Sequence, residues 1–165
     1  MSYLTTKLTA VYNRNNFNCG NETLNIYLKT QVNQDIKKKL TACFVLADET
    51  NNVIGYYTLS SLSISIDITP SDIQKKIPKG YRDLPVTLLG RLAIDSTRKG
   101  QNYGELLLLD ALKRSYEISK EIASMAIVVD PIDVIAISFY TKYGFIILDS
   151  GKMFISMKTI EQFFK

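Results

Sequence analysis

The residues best arranged to do chemistry lie between Leu88 and Ala111, in the stretch LLGRLAIDSTRKGQNYGELLLLDA. An apolar run from Val86 to Ile94, broken only by Thr87, Gly90 and Arg91, reads as a strand buried on both faces. A polar turn follows from Asp95 to Gly100, and an apolar-periodic helix opens near Asn102 with Leu106, Leu107 and Leu109 in its first turns. A strand feeding a glycine-bearing turn at a helix N-terminus offers an anion site. The first helical N–H groups lack intrahelical partners, and the macrodipole is positive there. The same pattern also serves as an ordinary strand–turn–helix connection. The turn itself, Lys99-Gly100-Gln101-Asn102-Tyr103-Gly104, is neither a Walker A loop nor a G-x-G-x-x-G dinucleotide turn.

Composition removes several other chemistries. The 165 residues include no histidine, which excludes Ser–His and Cys–His nucleophile pairs. The two cysteines, Cys19 and Cys43, have no metal-type spacing, so no metal site is expected. The length suits one domain spanning 1–165 with a real core. A net charge of +4 favours an acidic partner such as nucleic acid or a phosphorylated ligand. No apolar run is long enough to cross a bilayer and no leader-type apolar region opens the sequence, so no membrane partner and a reducing cytoplasm are expected.

The elements that must position the turn read as follows. Leu4 to Val11 is a first strand. A helix has Asn21 as its N-cap and Leu24, Tyr27, Leu28, Val32 and Ile36 on one face. It runs into Lys37-Lys38-Lys39, which is either a solvated, dipole-favoured helix end or a phosphate-backbone contact. Thr41–Ala47 and Val53–Ile66 form a hairpin around a turn at Asp48–Asn52. A short helix starts at Thr69-Pro70-Ser71 and ends near Ile77. The helix after the glycine turn reaches Ser119, and Ala123–Asp130 is the next strand. Val134–Tyr143 is a helix stopped by Gly144. Phe145–Leu148 and Met153–Met157 are closing strands, and Thr159–Phe164 is a last helix. The order β-α-β-β-α-β-α-β-α-β-β-α predicts a mixed α/β domain with parallel pairing where helices intervene.

Two segments resemble the GNAT superfamily of N-acetyltransferases. The glycine turn is similar to the family's pyrophosphate loop, Q/R-x-x-G-x-G/A, with Lys99 at the first position, Gly104 at the last, and Asn102 in place of the middle glycine. Asn tolerates positive φ better than most residues. Ala136 and Ser138-Phe139-Tyr140-Thr141-Lys142-Tyr143-Gly144-Phe145 resemble the family's A-x-x-F-Y-x-K-x-G-F segment, with Asp133 where the family has Asn. The likeness narrows further. Phe17 to Leu28 (FNCGNETLNIYL), Gly55 to Ser60, Leu88 to Asp95 and Ala126 to Asp130 resemble the TacT-like acetyltransferase toxins of toxin–antitoxin pairs, although Pro131 is unusual for that branch.

The resemblance implies a GNAT fold: a mostly antiparallel sheet with a splayed parallel strand pair, flanked by helices. It implies acetyl-CoA as co-substrate, aminoacyl-tRNA as acceptor, a ribbon–helix–helix antitoxin as partner and a homodimer. The pantetheine arm is expected along the main chain of Leu92, Ala93 and Ile94. The pyrophosphate is expected on the amides of Gly100, Gln101, Asn102, Tyr103, Gly104 and Glu105, with Arg98 and Lys99 adding charge and Phe139 beside the cofactor. Tyr140 takes the role of general acid, since a phenol of pKa about 10 stays protonated at neutral pH and can supply a thiolate. An α-amino acceptor, with a pKa of about 7.7–8.0, loses its proton more readily than a lysine amine at about 10.4, so the absence of an obvious general base suits it. Arg91 is either a buried, paired arginine bracing the sheet or a contact to acceptor RNA phosphate or to a loop at the acceptor mouth. Lys29, Lys37, Lys38, Lys39, Lys75, Lys76, Lys79 and Arg82 are candidates for a tRNA-facing surface. Two other readings compete: a GNAT enzyme acting on a polyamine, antibiotic or peptide amine, and a non-enzymatic acyl-CoA- or partner-binding module.

Overall fold

The structure, a computed structural model, describes residues 2–165. Its strands are β1 (Thr6–Lys7), β2 (Ala42–Ala47), β3 (Val53–Ser65), β4 (Asp83–Ile94), β5 (Ala126–Val129), β6 (Ile146–Ile147) and β7 (Met153–Ser156). Its helices are α1 (Glu22–Ile26), α2 (Val32–Lys37), α3 (Ser71–Gln74), α4 (Tyr103–Ser119), α5 (Val134–Lys142) and α6 (Met157–Glu161), with a π-turn at Tyr27–Gln31 joining the first two. The strands form a seven-stranded sheet in the order β1-β2-β3-β4-β5-β7-β6. The mixed α/β class and the element order agree with the sequence reading.

Pairing is mostly antiparallel with one parallel pair, as the resemblance implies, and departs only from the expectation that every intervening helix gives a parallel pair. β4 and β5, with α4 between them, are parallel, with Thr87 opposite Ile127 and Leu88 opposite Val128. β1 and β2 are antiparallel even though α1 and α2 intervene, and so are β5 and β7 across α5 and β6. A long connection can re-enter a sheet from its far end, so an intervening helix permits parallel pairing without requiring it. The first strand is only two residues long. The Leu4 N–H is drawn to the Asp110 carboxylate at 2.7 Å, and a turn from Thr9 to Tyr12 bends the chain away. β4 is not buried on both faces. Leu84, Val86 and Leu89 are buried, Asp83, Pro85 and Gly90 are exposed, and Arg91 and Leu92 are half-buried.

Two compact units are distinguished, one gathering Met1–Ser60 with Leu89–Arg114 and the other Ser61–Leu88 with Ser115–Lys165. In the first, Asn21 caps α1 by accepting the Leu24 N–H. Tyr27, Leu28 and Val32 are buried beside Phe17, Cys43, Val45, Val53, Tyr56 and Ala93, and Leu24 and Ile36 pack against them. This is the apolar face the helical spacing predicts. β2 and β3 form the expected antiparallel hairpin. At Gly55 on β3 an added Cβ would lie 2.8 Å from Ile94 Cδ1 and 2.9 Å from Leu107 Cδ1, so the end of β4 and the start of α4 close against a bare backbone. In the second unit Ile64, Leu84, Val86, Ala126, Val128, Leu148 and Phe154 form the core.

Candidate active site

The turn after β4 is built on Asp95. This carboxylate is 8% exposed and accepts the Asn18 N–H at 2.9 Å, the Thr97 N–H at 3.0 Å and the Thr97 hydroxyl at 2.7 Å. Burial pushes its pKa up, but these donors and the Arg98 charge outweigh burial and hold the carboxyl below its usual range. The main chain is tied as well: Asp95 N–H donates to Ile54 O and Ser96 N–H to Asn18 O. Asn18 is fixed in turn by the buried Asn25, which donates to Asn18 Oδ1 and accepts the Cys19 N–H. The Phe17–Gly20 segment therefore braces the turn from one side.

The next residues fit a pyrophosphate. Gly100 has φ 80° and Asn102 φ 63°, both left-handed, and they flank Gln101 just before α4 begins at Tyr103. The 17-residue α4 adds its N-terminal N–H groups and dipole. Asn102 takes a positive φ, which glycine enters freely and Asn tolerates better than most residues, so asparagine is compatible with this turn. Gly100, Gln101 and Asn102 are exposed, and Tyr103, Gly104 and Glu105 are half-buried. Lys99 is exposed, and its Nζ donates to the Cys19 carbonyl at 2.8 Å. Arg98 is half-buried and lines a cleft with Asp48 and Asp95. On β4, Leu92 is half-buried while Ala93 and Ile94 are buried. Among the described residues no cluster of three or more His, Cys, Asp or Glu side chains could hold a metal ion.

The second unit carries Tyr140 on α5. Asp133 caps that helix by accepting the Ala136 N–H at 2.8 Å, so the Asp does the local work of the family's Asn. At the other end Gly144 takes φ 97°, and the Tyr140 carbonyl accepts both the Tyr143 and Phe145 N–H groups. Sharp termination turns Phe145 back onto the helix. The half-buried Tyr140 ring meets Phe139 and Phe145 edge-on, each at 5.2 Å between centroids, and Phe139 meets Tyr143 in the same way. Burial pushes the Tyr140 phenol up to about 12. A phenol in this environment keeps its proton across the physiological range.

Arg91 is not buried, and its guanidinium lies over the Tyr27 ring, 3.4 Å from the centroid. Lys29, Lys37, Lys38 and Lys39 are not buried in the first unit, and neither are Lys75, Lys76, Lys79 and Arg82 in the second. Asp95, Asn18, Asn25 and Tyr27 were not among the site residues expected from sequence. An acid closing an apolar strand before Ser-Thr is a local signal for Asp95. The roles of Asn18, Asn25 and Tyr27 depend on contacts remote in sequence.

Comparison with known proteins identifies the family. Residues 8–145 match the acetyltransferase (GNAT) family. A tRNA-acetylating toxin of Mycobacterium tuberculosis (strain ATCC 25618 / H37Rv) is 30% identical over 129 residues, covering 78% of this chain and 75% of the relative. The structure of AtaT complexed with acetyl-methionyl-tRNAfMet superposes with a TM-score of 0.90 at 31% identity, covering 99% of this chain and 100% of that one. A tyrosine-to-phenylalanine mutant of the AtaT toxin, bound to the C-terminus of the antitoxin AtaR and to acetyl-CoA, gives a TM-score of 0.82 at 27% identity over 98% and 97% of the two chains. With the glycine turn, the capped α5 and the family match in agreement, the chain belongs to the GNAT family of acetyltransferases.

Proposed function

We propose that this chain is an acetyl-CoA-dependent N-acetyltransferase that acetylates the α-amino group of aminoacyl-tRNA, and that it acts as a toxin by blocking translation. The observation that carries the reading is the likeness, over 99% of the chain, to AtaT held with acetyl-methionyl-tRNA. The tRNA-acetylating relative at 30% identity supports it.

Acetyl-CoA supplies an activated acyl group as a thioester. The chain's own residues bind, orient and protonate. The amides of Gly100 to Glu105 hold the pyrophosphate, and the main chain of Leu92 to Ile94 holds the pantetheine arm. Arg98 and Lys99 add positive charge to the turn, and Phe139 packs beside the cofactor. Tyr140 Oη keeps the proton that the departing sulfur takes up, and its raised pKa ensures that the proton is present at neutral pH. The acceptor amine, near its own pKa at neutral pH, needs no strong base.

Residues 1–165 act as one catalytic domain in the cytoplasm. An antitoxin of ribbon–helix–helix type holds the enzyme inactive, and the active form is a homodimer. The AtaT–AtaR complex supports an antitoxin partner. Among the described residues no helix is long and apolar enough to cross a membrane.

Labelled acetyl-CoA incubated with a mixed aminoacyl-tRNA pool tests the reading. Label is expected on aminoacyl-tRNA, at the α-amino group. Label confined to polyamines or peptides would replace the acceptor.

A further inference from the structure

Arg91, Tyr27 and Asp35 form a stack and tether within one unit. The Arg91 guanidinium carbon sits 3.4 Å from the centre of the Tyr27 ring. Tyr27 is 4% exposed, and its hydroxyl donates to Asp35 Oδ2 at 2.7 Å, which fixes the ring at its far end. The helical segment carrying both residues widens here: the Val32 N–H reaches back five residues to the Tyr27 carbonyl. Single π-turns of this kind concentrate at functional positions.

A bracing arginine spends its N–H edges on protein acceptors, as Arg114 does on Tyr57 Oη and the Thr5 carbonyl. Arg91 is half-buried, and the ion pairs found among the described residues, Lys120–Glu117 and Lys152–Asp130, do not include it. Its charge is met by the face of an aromatic ring, an attraction that leaves the N–H edges of the guanidinium for a ligand. The nearby carboxylate, Asp35, is occupied by the Tyr27 hydroxyl. A guanidinium held on a ring in this way is pre-organised for two-pronged recognition of phosphate, which an ammonium on a flexible stem is not. The same helical segment carries Lys29 and Lys37, and Lys38 and Lys39 follow its end, none of them buried, so this stretch adds positive charge.

We propose that Arg91 contacts a phosphate at the acceptor end of the tRNA, and that Tyr27 and Asp35 are the positioning residues that hold it. This rests on aminoacyl-tRNA being the acceptor. Steady-state kinetics on the full chain, with purified aminoacyl-tRNA at several salt concentrations, tests it. Arg91→Gln should raise KM for aminoacyl-tRNA by on the order of 10-fold while kcat is largely kept. The slope of log KM against log salt should fall by about 0.7–0.9, the signature of one lost phosphate contact. Tyr27→Leu should reproduce the KM rise although Arg91 keeps its charge, and Tyr27→Leu/Arg91→Gln should be no worse than Arg91→Gln alone. If Tyr27→Leu does not fold, Tyr27→Phe, which keeps the ring and cuts the tether, should give a smaller rise in the same parameter.

A folded Arg91→Gln with unchanged KM and salt slope overturns the inference. So does an equal loss on a phosphate-free aminoacyl nucleoside. If the wild-type enzyme does not acetylate aminoacyl-tRNA, the functional reading fails and this inference falls with it. If the wild type does so and Arg91→Gln matches it, this inference alone fails.

Discussion

The Asp95 carboxylate accepts the Asn18 main-chain N–H at 2.9 Å, joining the end of β4 to a segment more than seventy residues earlier in the chain. Through that bond the N-terminal segment sets the shape of the turn that leads into α4. Asp95→Ala strands the Asn18 and Thr97 donors, each at a cost of about 1–3 kcal/mol if it stays dry. The variant should lose several degrees in Tm, and its acetyl-CoA affinity should fall on the order of 10-fold. Thermal unfolding and calorimetry check both; a lower Tm with unchanged affinity would separate the brace from the cofactor site.

Asn102 stands at φ 63°. Asn102→Gly should leave acetyl-CoA affinity unchanged or slightly tighter, because glycine enters this region freely. Asn102→Val should cost about 1–2 kcal/mol of loop stability and weaken binding correspondingly, because a β-branched residue resists positive φ. Replacement of Gly104 by a bulky residue should weaken binding by crowding the phosphate. Calorimetry of the three variants against wild type reads the effect directly.

Tyr140→Phe keeps the edge-on contacts with Phe139 and Phe145 and removes the phenolic proton. Stability and acetyl-CoA affinity should change little. Single-turnover acetylation should slow ~10²-fold or more, with the loss in kcat. Expression of the variant should cease to arrest growth, whereas wild-type expression should arrest it until an antitoxin is supplied. Near-normal turnover by a folded Tyr140→Phe would reduce Tyr140 to a packing residue.

Burial raises the pKa of Tyr140 to about 12 and that of the Cys43 thiol to about 12, and it raises Tyr27, Tyr56 and Tyr57 further. A raised folded pKa means that the protonated form is favoured in the native state. The corresponding stability is complete below the unfolded pKa and is lost as pH climbs through the folded one. The protein should therefore hold its fold to about pH 9 and lose stability from there towards pH 12 as Cys43 and then the tyrosines ionise. Spectrophotometric tyrosine titration should show an early class and a late, cooperative class that appears with unfolding. The rate of acetylation should rise with pH through the amine pKa of about 8, with no fall attributable to Tyr140 below about pH 10.

Much of the fold was legible locally, and so was the backbone of the candidate turn. Asn21 as a cap, the 24-27-28-32-36 face, the β2–β3 hairpin and the Gly144 stop each depend on residues a few positions apart, and each is found. The left-handed Asn102 follows from residue type and position in the same way. The short β1 did not, because Asp110 bends the chain from more than a hundred residues away. The place of Lys99 in the motif is local, whereas the contact of its ammonium with the Cys19 carbonyl is made by a segment eighty residues earlier. Arg91 was legible as an anomaly in an apolar strand. Its resolution on the Tyr27 ring required the helix and strand to meet.

Gly55 gives the anion turn a mechanical setting. The strand end and the helix start that carry the turn are shimmed by a spacer of zero thickness, since a single methyl there would press on both Ile94 and Leu107. Lengthening that spacer by one carbon should displace the tips of the Ile94 and Leu107 side chains and loosen the packing behind the turn while leaving every loop residue unchanged. If the turn holds the pyrophosphate as proposed, a Gly55→Ala enzyme should be a loosened vice rather than a broken one, at a packing cost of about 1–3 kcal/mol.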